Sequence, residues 1–81
     1  MNIRVRLFSV IRDIAGFDEQ TVVVPPRADA ASVLRKLVQA HPALDPWKGS
    51  VRMAVNLEYV SSSHPLKEGD EVAIIPPVSG G

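Results

Sequence analysis

At 81 residues the chain makes one small domain, large enough to bury a core without staples. Its 46% apolar content with 22% charge is that of a globular protein, and nine basic against nine acidic residues argue against a nucleic-acid partner, which needs a net basic surface. The lack of cysteine excludes disulfides and thiolate chemistry, the short apolar runs exclude a membrane helix, and with no visible secretory leader the expected setting is soluble and cytoplasmic.

The opening stretch NIRVRLF alternates with period two, which predicts a half-buried strand: Ile3, Val5 and Leu7 point one way, Arg4, Arg6 and Phe8 the other. SVIRDIAG then places Val10, Ile11 and Ile14 at helical spacing, with Ser9 as the expected N-cap and Gly16 as the stop. Glu19 to Val24 is β-branched and ends at Pro25-Pro26, a second strand.

Asp29 is placed to cap a helix over AASVLRKLVQA, with Val33, Leu34, Leu37 and Val38 on one face and Arg35, Lys36 and Gln39 on the other. His41 before Pro42 ends it, and PALDPWKGS reads as a loop whose Trp47 packs under the domain. VRMAVN alternates again, Asn56 suits a turn into a short strand at Tyr59-Val60, and Gly69-Asp70 leads into a last strand, EVAII.

One amphipathic helix against one mixed sheet is a two-layer α+β domain. If Ile3, Val5, Leu7, Met53, Val55, Val72 and Ile74 face the helix, the outer face carries Arg4, Arg6, Phe8, Arg52, Ala54, Ala73 and Ile75. A solvated strand face accounts for the arginines alone. Large apolar groups rimmed by arginine fit an interface better, so Phe8, Ile75, Arg6, Arg52 and Ala54 are the expected partner-binding residues.

Signals of catalysis are absent: no phosphate loop, no HExxH, no GxSxG and no calcium loop. His41 and His64 precede prolines in loops and read as structural or solvated, Ser61 to Ser63 as turn filler, and Asp70 and Glu71 as partners of loop amides or water.

The closing IIPPVSGG is the strongest candidate site. Residues 1–75 form the expected domain and 76–81 a tail. Pro76 and Pro77 fix φ and lack amide donors, which favours a stiff exit. Val78, Ser79, Gly80 and Gly81 follow, and glycines without Cβ atoms pass through a narrow channel. Extended, the tail from Pro76 onward reaches about 20 Å. Its one reactive group is the Gly81 carboxylate, a poor electrophile until activated as an acyl-adenylate, after which sulfide makes a thiocarboxylate and an amine an isopeptide.

VRLFSVIRDIAG, SVLRKLV, MAVNLEYV and above all HPLKEGDEVAIIPPVSGG resemble the small, sulfur-carrier subunits of molybdopterin synthase, which are ubiquitin-like β-grasp proteins. The resemblance implies a non-catalytic carrier with no cofactor or metal of its own. An ATP-dependent activating enzyme would adenylate Gly81, a sulfur donor protein would convert the glycyl adenylate to a thiocarboxylate, and the large synthase subunit would pass the sulfur to cyclic pyranopterin monophosphate. The implied assembly is a heterotetramer of two small and two large subunits, with no nucleic acid or membrane. Gly81 would carry the sulfur, Gly80, Ser79, Val78, Pro77 and Pro76 would make the tail contact, and Phe8 and Ile75 would dock the body. The alternatives are a carrier for thiazole or cysteine synthesis, a protein-conjugation tag, and a plain binding module.

Overall fold

A computed structural model describes residues 1–77 of the chain. The elements run β1 (Asn2–Leu7), α1 (Ser9–Ala15), β2 (Glu19–Val23), α2 (Ala30–Ala40), a 3-10 helix (Pro42–Trp47), β3 (Arg52–Val55), β4 (Glu58–Val60) and β5 (Glu71–Ile75). The strands form one mixed sheet in the order β2-β1-β5-β3-β4. β1 and β5 pair in parallel, with Arg4 opposite Glu71 and Leu7 opposite Ile74, and the other neighbours are antiparallel. The last strand therefore lies in the middle of the sheet, bonded on both sides.

Period two in β1 and β5 does what the pattern requires: Ile3, Val5, Leu7, Val72 and Ile74 are buried, and with Met53 and Val55 they form one core with Ala30, Val33 and Leu37 of α2. Leu44 of the 3-10 helix, Ile11 of α1 and Leu66 close its ends. Leu34 and Val38, on the same expected stripe of α2, are only half-buried.

Asp29 caps α2 through a full capping box. Its carboxylate accepts from the Ser32 amide at 2.9 Å, and Ser32 Oγ accepts from the Asp29 amide at 3.2 Å. The next orphan amides at this helix end donate across the chain, Ala30 to the His64 carbonyl at 3.0 Å and Ala31 to that of Ser62 at 2.8 Å. The stretch expected to be turn filler thus completes the helix cap.

Two local expectations are corrected. Ser9 is not the N-cap of α1. Phe8 holds that position in extended backbone, its carbonyl accepts from the Ile11 and Arg12 amides, and Ser9 is the first helical residue with φ +48°. A backbone carbonyl has taken the role assigned to a hydroxyl. PALDPW, expected as loop, is a 3-10 helix opened by Pro42, where the lacking amide costs nothing. Gly16 does end α1 in the left-handed conformation, its amide donating to Arg12 at 2.8 Å.

The β3–β4 hairpin turns on Asn56 and Leu57, both left-handed at φ +50° and +74°, between the paired Val55 and Glu58. Its base is tied to β5. Asn56 Nδ2 donates to Asp70 at 3.0 Å, the Glu71 amide donates to Asn56 Oδ1 at 3.0 Å, and the Lys67 amide donates to Asp70 at 2.8 Å.

Candidate functional site

The site is built where β5 leaves the sheet. Ile75 lies opposite Arg52 at the end of the ladder and is half-buried, Pro76 is half-buried, and Pro77 is exposed. With neither proline able to donate an amide, the ladder ends there. The expected tail residues Val78, Ser79, Gly80 and Gly81 lie outside the described residues.

Around this root is a cleft of about 400 Å³ lined by Phe8, Ser9, Val10 and Trp47 together with Ile75, Pro76 and Pro77. Three separate elements build it: the corner between β1 and α1, the end of the 3-10 helix, and the end of β5. Trp47 is the residue that sequence reasoning missed as a site residue. It does pack on the core, as expected, but it also walls the tail root. Nothing in the spacing of PALDPWKGS points to this; only the tertiary path of the 3-10 helix brings Trp47 there.

The outer sheet face carries the expected set, with a different electrostatic character. Arg4 pairs with Glu19 and Arg6 with Glu71 at 3.5 Å. Arg6 also lies over the Phe8 ring at 5.5 Å, and Arg52 over the Tyr59 ring at 4.7 Å. The arginines are thus pinned within the face. Ala54, expected to be exposed for a partner, is 6% exposed: it is flanked in the ladder by Tyr59 and Ala73, which leave its single methyl little surface. Tyr59, at 63% exposure, supplies the large apolar surface in its place. Cross-strand partners share a face, so the register of the hairpin was the signal for Tyr59, and that register follows from the turn at Asn56-Leu57.

Acid–base machinery does not assemble among the described residues. Among the described residues no group of three or more His, Cys, Asp or Glu could hold a metal. His41 packs its ring 5.9 Å from that of Phe17. Among the described residues the two carboxyls with clearly displaced pKa values are structural. Asp29 is held low by the Ser32 hydroxyl and amide. For Asp70, burial pushes the carboxyl up, but the Lys67 amide, the Asn56 side chain and the charges of Lys67 and His64 outweigh it and hold the group below its ordinary value. No helix among the described residues is long and apolar enough to cross a membrane.

The described residues offer a strand held on both edges, a cleft around its exit and an outer sheet face with exposed apolar groups. Comparison with known proteins gives the family. The chain matches the ThiS family over residues 5–81. It is 45% identical over 83 residues to the molybdopterin synthase sulfur carrier subunit of Chlamydomonas reinhardtii, covering 100% of both chains. Among solved structures it superimposes on SAMP1 from Haloferax volcanii with TM-score 0.87 and 31% identity, covering 100% of both chains. It also superimposes with TM-score 0.72 and 29% identity on a chain of the complex of subunits 1 and 2 of the molybdopterin-converting factor from Helicobacter pylori, again covering 100% of both. The fold is the ubiquitin-like β-grasp. The chain belongs to the ThiS family, among the sulfur carrier subunits of molybdopterin synthase.

Proposed function

We propose that this chain is the sulfur carrier of a molybdopterin synthase, and that the Gly81 carboxylate is the group it delivers. The observation that carries the reading is the root: a strand bonded on both edges feeds directly through Ile75, Pro76 and Pro77 to Val78-Ser79-Gly80-Gly81. In an activating enzyme, a carboxylate oxygen attacks the α-phosphorus of ATP and pyrophosphate leaves. The glycyl adenylate is then an electrophile, and sulfide released by a donor protein attacks its acyl carbon and expels AMP, leaving the thiocarboxylate. The tail next enters the large synthase subunit, which supplies the catalytic groups and moves the sulfur to cyclic pyranopterin monophosphate. Partnership with a large subunit is supported by the likeness to the Helicobacter pylori two-subunit complex; two small subunits on a dimer of large ones is the proposed assembly. Phe8, Ile75 and Tyr59 make the apolar docking contacts, with Arg6 and Arg52 at the rim, while Ala54 lies beneath them. The chain itself is a carrier, not a catalyst, and acts in the cytoplasm.

Deletion of Gly81 tests this. The variant keeps the wild-type fold by circular dichroism and loses sulfur transfer in a reconstituted synthase. Mass spectrometry after incubation with activating enzyme, ATP and a sulfur source shows one oxygen of the intact chain replaced by sulfur. The likeness to SAMP1, named as a small archaeal modifier protein, favours a conjugation tag as the second reading. Isopeptide adducts on lysines with no thiocarboxylate would establish that reading instead.

A further inference from the structure

Away from the tail, the flank of α2 opens a second and larger cavity, of about 520 Å³. It shares no lining residue with the cleft at the tail root. Its floor is Met53, which is buried, with Leu34, Val38 and Val51, which are half-buried. Leu34 and Val38 are the two residues of the α2 stripe that the sheet leaves uncovered. Its rim is Arg35 and Lys48, both exposed, with Gln39 and Ser62.

Arg35 and Lys48 are the charged groups of the lining. No acidic side chain lines the cavity, and α2 carries Arg35 and Lys36 with no acid of its own. Lys48 pairs with Asp45 at 2.8 Å, and Arg35 donates to Ser32 Oγ at 3.3 Å, with the Asp29 carboxylate bonded to the same hydroxyl; both cations remain exposed at the mouth. The groove follows α2 from Ala31 to Gln39, a span of about 12 Å at the helical rise, which accommodates about four residues of extended chain. Apolar depth with a cationic mouth selects an amphiphilic anion, and the length of the open trough selects a chain segment over a compact molecule.

We propose that this groove is a docking site for a short acidic–aliphatic segment of a partner protein. Aliphatic side chains would fill the floor against Leu34, Val38 and Met53, and flanking carboxylates would meet Arg35 and Lys48. Because the groove and the tail root share no residue, such a partner could hold the carrier while its tail is engaged elsewhere.

The test is a nitrogen-15 NMR titration of the full chain with four probes: a blocked tetrapeptide of two leucines between aspartates, the same leucines between lysines, two serines between aspartates, and octanoate. The expected result is that the aspartate–leucine peptide alone shifts the amides of Leu34, Val38, Lys48 and Val51, with binding that weakens as salt is raised. The double variant R35E/K48E, altered at two exposed positions, should bind that peptide about tenfold more weakly and prefer the lysine–leucine peptide. Absence of binding, equal binding of the lysine or serine peptide to the wild type, shifts confined to the outer sheet face, or tighter binding of octanoate would each overturn the proposal, the last in favour of a small carboxylate ligand.

Discussion

Asp70 is buried to 6% exposure, the one charged side chain so placed among the described residues, and it joins three parts of the chain. Its oxygens accept from the Lys67 amide and the Asn56 side chain, while its own carbonyl accepts from the Arg4 amide at 2.9 Å. Two donors face the carboxylate, and an asparagine has one acceptor oxygen to offer them. Asp70→Asn therefore leaves a donor facing a donor and should lower stability at pH 7 by about 1–3 kcal/mol in denaturant titrations. The pH dependence follows from the depressed pKa. A carboxyl held below its unfolded value contributes stability above that value and loses it as pH falls through the folded one. The wild type should thus weaken below about pH 4, and the gap to Asp70→Asn should narrow there. A gap independent of pH would show that the charge is not what matters. The expectation that Asp70 serves loop amides was right in kind; its burial was not legible, because that depends on the hairpin folding over it.

Among the elements, the β3–β4 hairpin carries the clearest local conflict. A two-residue turn with both residues at positive φ suits Asn-Gly, and here Leu57 occupies the glycine position at φ +74° with 87% of its surface exposed. Leu57→Gly should relieve the left-handed strain by more than the added chain entropy costs, a net gain of up to about 1 kcal/mol by thermal or chemical unfolding. A loss would mean that Leu57 makes contacts in the folded chain that its exposure conceals. Elements of this kind were readable wherever a period was sustained, as in β1, α2 and β5, because burial of one face enforces the period. The 3-10 helix was not. Pro42 and Pro46 read as loop punctuation, and its single buried anchor, Leu44, gives no period to detect. The face of Ala54 was readable, its burial was not, since a methyl group is covered or bare according to the size of its neighbours across the ladder.

At the scale of the whole molecule, the two layers divide the labour. One sheet face meets α2 and makes the core; the other presents Phe8, Ile75 and Tyr59 around pinned arginines. Phe8→Asp or Ile75→Asp should therefore weaken association with a large synthase subunit by about 2 kcal/mol or more in calorimetric titration while changing folding stability by less. Equal losses in both would return these residues to the core. The candidate site was legible to the extent that it is a string: IIPPVSGG is contiguous, so its chemistry could be read without a fold. The cleft around its root was not, because Phe8, Trp47 and Pro76 meet only in three dimensions. The central place of β5 has a mechanical consequence. Traction on the tail runs along this strand and loads its ladders to β1 and β3 together, in shear, so that their bonds must yield as a group and not one by one. In the proposed cycle the tail is drawn out of one protein and threaded into the next, and any pull on it is borne by both ladders at once.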